Sequence, residues 1–153
     1  MKILKAEKED VNDIFPLLTK EFSYVKVDYA ILLKRLDDEN IFIYKITENS
    51  KFAGFIDMQI LEKGIARING LAIVDDARGK HLGKTLLEFG IDFLKKRGIE
   101  SIKLLVKENN ETARKLYKDA GFSFIGLHHE NIEGAVIEEM ELNLSKEKPK
   151  GVS

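Results

Sequence analysis

The chain changes its pattern at Asp75, and that change restricts the fold more than any other feature. Upstream lie three runs rich in β-branched and aromatic residues, at 41–47, 52–61 and 65–74. They are joined by Glu48-Asn49-Ser50-Lys51 and Glu62-Lys63-Gly64, which are too short to carry a crossover. The three runs therefore predict an antiparallel meander. Downstream, helical and strand patterns alternate, so each helix there joins two strands and implies parallel pairing.

The flanking elements follow from the same periodicities. Residues 1–6 read as a first strand. Residues 7–21 place Val11, Ile14, Phe15 and Leu18 on one helix face, with Pro16 expected to kink or restart the helix. A second helix starts near Asp28, a suitable cap, with Ala30, Leu33 and Leu36 on one side. After Asp75, Leu82, Leu86, Phe89, Gly90, Phe93 and Leu94 form one face of a long helix. That helix ends in Lys95-Lys96-Arg97 followed by Gly98. A strand at 101–106 and a helix at 109–120 with Ala113, Leu116, Tyr117 and Ala120 aligned come next. Gly121 ends that helix, and strands at 122–129 and 135–144 follow. The order β-α-α-β-β-β-α-β-α-β-β predicts an α/β fold with a mixed, mostly antiparallel sheet of about seven strands and about four helices. Residues 1–144 read as a single domain and 145–153 as a flexible polar tail.

Composition narrows the chemistry. The 153 residues include no cysteine, so disulfides, zinc-thiolate sites and cysteine nucleophiles are excluded. Lys and Arg number 25 against 26 Asp and Glu, for a net charge of -1. That balance argues against a nucleic-acid coat or a polybasic membrane binder. No apolar run approaches a membrane span and no signal-peptide pattern opens the chain, so a cytoplasmic location is expected. His128-His129-Glu130 is the nearest approach to a metal motif. Adjacent strand residues point to different faces, so no metal site is expected.

The informative segment runs from the strand Ile68-Asn69-Gly70-Leu71-Ala72-Ile73-Val74 through Asp75-Asp76-Ala77 into Arg78-Gly79-Lys80-His81-Leu82-Gly83-Lys84. A glycine-containing basic loop that opens a helix presents unpaired N–H groups and the positive end of the helix dipole. Arg78, Lys80 and Lys84 add cationic charge. The segment reads as a phosphate or pyrophosphate site, or else as an ordinary strand-to-helix turn with solvated lysines. A nucleotide P-loop competes through Gly83-Lys84-Thr85. It fails at its first glycine, because the position five before Gly83 is Arg78.

Two blocks carry a family resemblance. Arg78-Gly79-Lys80-His81-Leu82-Gly83 resembles the R/Q-x-x-G-x-G/A pyrophosphate loop of the GNAT superfamily of acyl-CoA-dependent N-acetyltransferases, and Leu71-Ala72-Ile73 resembles its L-x-V strand end. Asn110-Glu111-Thr112-Ala113-Arg114-Lys115-Leu116-Tyr117-Lys118-Asp119-Ala120-Gly121-Phe122 resembles the family's N-x-x-A-x-x-x-Y-x-x-x-G-F segment without a gap. The element order resembles that of the family throughout. His81 departs from the motif, standing where the family has glycine.

The resemblance implies a GNAT-like fold with strands splayed at 65–74 and 101–106. It also implies direct transfer of an acetyl group from acetyl-CoA to a primary amine, in a small molecule or a protein, within a ternary complex. Backbone groups of Leu71, Ala72 and Ile73 would hold the pantetheine arm, with Gly70 easing a bulge. The Ile73 N–H would face the thioester oxygen. Arg78, Gly79, Lys80, His81, Leu82, Gly83 and Lys84 would hold the pyrophosphate. Asn110 would bind the pantetheine or cap its helix, and Tyr117 would protonate the departing thiolate or serve as a core tyrosine.

The general base is open among Asp57, Glu21, His128, His129, Glu138, Glu139 and a water relay. Some relatives carry a glutamate on the strand before Leu71, where this chain has Arg67 and Asn69. A non-catalytic acyl-CoA-binding module is the competing reading. Residues 78–118 hold eleven basic and five acidic residues, a balance of +6; residues 119–145 hold six acids and no Lys or Arg. That asymmetry suggests an anionic coenzyme and a cationic acceptor, or a solvated acidic face. The expected partners are thus acetyl-CoA and an amine, with no nucleic acid and no membrane, in a monomer or homodimer.

Overall fold

A computed structural model describes residues 1–23 and 26–147. The elements, in order, are β1 (Lys2–Lys5), α1 (Val11–Glu21), α2 (Tyr29–Asp37), β2 (Ile41–Glu48), β3 (Lys51–Glu62), β4 (Ile65–Ile73), α3 (Leu82–Lys95), β5 (Ser101–Lys107), α4 (Glu111–Asp119), β6 (Ser123–Leu127) and β7 (Ile137–Asn143). Short 3-10 turns precede α1 and α3 and follow β7. The seven strands hydrogen-bond in the order β1-β2-β3-β4-β5-β7-β6. The predicted α/β class, strand number and helix number are therefore found. No helix among the described residues is long and apolar enough to cross a membrane.

Local chemistry explains most boundaries. The Asp28 carboxylate accepts the Ile31 N–H at 2.8 Å and caps α2, as its position predicts. Asn49 and Ser50, at φ 52° and 64°, form the two-residue turn of the β2–β3 hairpin. Positive φ at both positions matches the right-handed twist of the paired strands. Gly98 and Gly121, at φ 79° and 106°, follow α3 and α4, where a side chain would be strained.

Three readings need adjustment. Helix α1 runs through Pro16 without a restart. On α2 the fully buried residue is Leu32, whereas Ala30 is exposed and Leu33 and Leu36 are only half-buried. The last strands are shorter than expected, and residues 144–147 form a 3-10 turn. The remainder of the predicted tail, 148–153, lies outside the described residues.

The chain divides into two compact units, residues 1–59 with 68–90, and residues 60–67 with 91–153. In the first, α1 and α2 pack on the β2–β3–β4 segment around Val11, Ile14, Leu18, Leu32, Ile43 and Phe55. Gly90 on α3 comes so close to Ile56 and Met58 that a Cβ there would lie 2.7 Å from Ile56 Cδ1. In the second, Ile65, Ala66 and Arg67 of β4 pair in parallel with Ser101, Ile102 and Lys103 of β5. Strand β4 itself continues to Ile73 and β5 to Lys107. Antiparallel β5–β7 and β6–β7 pairs complete this unit.

Candidate active site

The first unit contains the strand end, the basic loop and the start of α3. β3 and β4 meet closely where the strand ends. A Cβ on Gly54 would lie 2.3 Å from the Ala72 carbonyl oxygen and 3.1 Å from Ile73 Cα, so only glycine fits. The Val74 N–H donates to the Ala53 carbonyl at 2.8 Å, fixing the exit of β4. The position of Gly54 gave no sequence signal, because its neighbour lies on another strand.

After β4 the chain turns through Asp75–Ala77 into the loop. Gly79 and His81 both have positive φ, 82° and 61°. His81 therefore occupies a backbone conformation suited to glycine, and its side chain is exposed. The Thr85 N–H donates to the His81 carbonyl at 3.1 Å, the first backbone bond of the helix. The amides of Leu82, Gly83 and Lys84 precede it, so the fourteen-residue helix offers them no internal acceptor.

Two of the three loop cations are held by acids. Arg78 donates to Glu21 at the end of α1, and its Nε–H donates to the Ile73 carbonyl at 3.2 Å. Lys80 lies 2.7 Å from Glu48 at the end of β2. Lys20 pairs with Asp75, which holds that exposed carboxyl below the usual aspartate range. The backbone therefore leaves donors unpaired at the start of α3, while two of the predicted phosphate cations are engaged by carboxylates.

The same unit contains a cavity of about 200 Å³. Leu18, Phe22, Val27 and Phe55 give it apolar walls. Arg35, Asp57, Asn69 and Gly70 complete the lining. Arg35 Nη2 lies 2.7 Å from both carboxylate oxygens of Asp57. Asn69 Nδ2 donates to Asp57 at 3.3 Å and to Gln59 at 3.1 Å. Asp57 is 4% exposed, and its burial raises the carboxyl above the usual range against the opposing pull of Arg35 and Asn69. Gly70 faces the Phe22 ring, where a Cβ would come within 3.3 Å. Arg35 was not among the sequence candidates, since a lysine-arginine pair near the end of a helix is usually solvated.

The second unit carries the other motif. Asn110 Oδ1 accepts the Ala113 N–H at 3.2 Å, which makes Asn110 the cap of α4. Tyr117 is buried, and its ring meets Phe122 edge-on at 5.8 Å. Of the base candidates, Glu138 is buried and accepts from Arg114 at 3.1 Å, and Glu139 is half-buried. His128 and His129 lie beyond β6, with ring centroids 4.3 Å apart, so the alternation of a strand does not separate them. Three of the six acids in 119–145 are paired within this unit: Asp119 with Lys115, Glu133 with Lys107 and Glu138 with Arg114. Half of the acidic charge that suggested a cationic acceptor is thus neutralised locally.

Known proteins resemble this chain in sequence and in fold. The acetyltransferase (GNAT) family pattern matches residues 8–122. The ribosomal protein bS18-alanine N-acetyltransferase of Escherichia coli (strain K12) is 35% identical over 80 residues, covering 52% of this chain and 53% of that protein. The chain thus spans about half the length of the first curated relatives it matches. An uncharacterized N-acetyltransferase of Bacillus subtilis (strain 168), YhfO, is 30% identical over 133 residues, covering 80% of this chain and 89% of that one. The PaiA N-acetyltransferase of Thermoplasma acidophilum, solved in complex with coenzyme A, shares the fold with a TM-score of 0.75 at 21% identity, over 93% of this chain and 98% of that chain. On the family match over most of its length, joined to the strand–loop–helix and capped-helix motifs it carries, the chain belongs to the GNAT family of acetyltransferases.

Proposed function

We propose that the protein is an N-acetyltransferase that moves an acetyl group from acetyl-CoA directly to a primary amine. The carrying observation is the loop at residues 78–84. It places Gly79 and His81 at positive φ before a fourteen-residue helix whose first amides lack internal acceptors. Those amides fit a pyrophosphate, with Lys84 beside them and Arg78 and Lys80 available once Glu21 and Glu48 release them. Leu71, Ala72 and Ile73 would align the pantetheine arm through their backbone groups, and the motif resemblance gives Asn110 a pantetheine-binding role beside its capping of α4.

The chemistry needs three protein contributions. Positioning brings the amine nitrogen to the thioester carbon, where the new C–N bond forms as the C–S bond breaks. The Ile73 N–H would stabilise the oxygen that becomes negative in between. Tyr117 would give its proton to the departing thiolate, and the proton lost by the amine passes to solvent or to a base. No cysteine is present to form an acyl-enzyme, which favours transfer in one ternary complex.

A panel of primary amines assayed with acetyl-CoA and thiol detection tests this reading. Thiol release that depends on the amine supports it. Tight acetyl-CoA binding without release for every amine would instead favour a non-catalytic acyl-CoA-binding module, a reading that Arg67 and Asn69 in place of a strand glutamate keep in view.

A further inference from the structure

Resting on the acetyl-transfer reading, we propose that the cavity floored by Arg35, Asp57 and Asn69 selects the acceptor by its far end. It takes a small amine whose distal group is uncharged and hydrogen-bonding, and it rejects one that carries a second ammonium there.

Position comes first. Gly54 lies against Ile73, the residue whose N–H would face the reacting carbonyl. Asp57 is three residues farther along β3, at about 10 Å by the rise of an extended strand. A group bound at Asp57 is therefore not the nitrogen that reacts but one attached to it by a short chain. The cavity of about 200 Å³ suits such a chain. The Phe22 and Phe55 rings supply apolar walls for the chain, and Gly70 leaves the Phe22 ring its space.

Charge decides the class. The cavity lining includes one carboxylate and one guanidinium, already paired at 2.7 Å. An ammonium approaching Asp57 would also approach Arg35, so repulsion from one offsets attraction to the other. A carboxylate meets the reverse situation. The cavity offers either ion little net attraction for losing its water. A hydroxyl or amide loses less on entry and finds partners. Asn69 spends its amino group on Asp57 and Gln59, which leaves Oδ1 as an acceptor. Arg35 uses Nη2 for Asp57, and Nε and Nη1 have no partner among the described residues.

The experiment compares 6-aminohexan-1-ol, 1,6-diaminohexane and 6-aminohexanoate as acceptors. The wild-type protein is expected to show at least a tenfold higher kcat/KM for the amino alcohol than for either other amine. Arg35→Met leaves Asp57 unpaired and should raise the diamine at least tenfold relative to the alcohol. Asp57→Asn leaves Arg35 unpaired and should raise the amino acid instead. A thermal shift with acetyl-CoA checks that each variant is folded. If one variant fails to fold, the wild-type ranking and the other variant decide. Equal kcat/KM for the three amines, or an unchanged ranking in folded variants, overturns the proposal and leaves acetyl transfer standing. Acetyl-CoA binding with no turnover of the amino alcohol overturns it too. Failure of the wild-type protein to bind acetyl-CoA overturns the acetyltransferase reading and this proposal with it.

Discussion

The Lys80 ammonium lies 2.7 Å from the Glu48 carboxylate, so a loop cation expected to meet phosphate is held at the end of β2 in the free protein. Both side chains are solvent-accessible, and such a pair is worth about 0–1 kcal/mol. Glu48→Gln removes the competitor. Coenzyme A affinity is expected to rise up to about fivefold, and the gain should shrink as salt is added. Titration calorimetry at two ionic strengths measures both; weaker binding would assign Glu48 a supporting role instead.

His81 has φ 61°, a conformation that costs most residues about 1–3 kcal/mol. Histidine tolerates it better than most. His81→Gly removes the strain but gives the unfolded chain more freedom, worth about 0.4–1 kcal/mol. Stability should therefore stay within about 1 kcal/mol of the wild type. His81→Val should cost about 1–3 kcal/mol. Urea unfolding of the two variants separates these outcomes.

Gly54 and Gly90 are both close to neighbours, but the neighbours differ. A methyl at Gly54 meets a backbone oxygen at 2.3 Å, while one at Gly90 meets the end of the Ile56 side chain at 2.7 Å. A rotamer can give way where a paired strand cannot. Gly54→Ala is expected to lose about 3 kcal/mol or more and to disturb residues 72 and 73. Gly90→Ala should lose less, since alanine also gains about 1 kcal/mol of helix propensity. Chemical denaturation of both variants gives the order.

Burial raises the Asp57 carboxyl above its unfolded value of 3.8. The folded state thus holds this proton more tightly than the unfolded state. Its contribution to stability is fully present below 3.8 and falls as pH rises through the folded value. Asp57→Asn removes that dependence, so the stability of the variant relative to wild type should climb with pH across this window. Unfolding curves at several pH values check the slope, and a flat difference would contradict it.

If Tyr117 gives its proton to the leaving thiolate, Tyr117→Phe should lower kcat by about 100-fold or more with little change in acetyl-CoA affinity. The ring stays in place beside Phe122, so a purely structural tyrosine would leave kcat near normal. Steady-state kinetics with a binding measurement distinguishes the two.

Much of this protein is written locally. Asp28 and Asn110 are legible as caps because each bonds an amide three residues on. The β2–β3 turn, the glycine stops after α3 and α4, and the loop opening α3 depend on neighbours in the chain, and the order of periodic segments limits the sheet. Periodicity also gives the faces of strands and helices, though on α2 it picked Ala30, Leu33 and Leu36 where Leu32 is the residue fully buried.

What the sequence could not show is which distant groups meet. Asp57 is 22 residues from Arg35 and 12 from Asn69, and Arg78 is 57 from Glu21. Gly54 matters because of a carbonyl on another strand. A residue's pattern sets the direction of its side chain, but strand register and helix packing set what lies there. Charge showed the difference most clearly: the runs of sign in the sequence pointed to free electrostatic fields, and the tertiary structure paired three of the six acids of residues 119–145 with lysines or an arginine of its own. The sequence by itself determined the family and the order of elements. The tertiary structure alone decided which charges remain for a ligand, because neutralisation depends on distances in space.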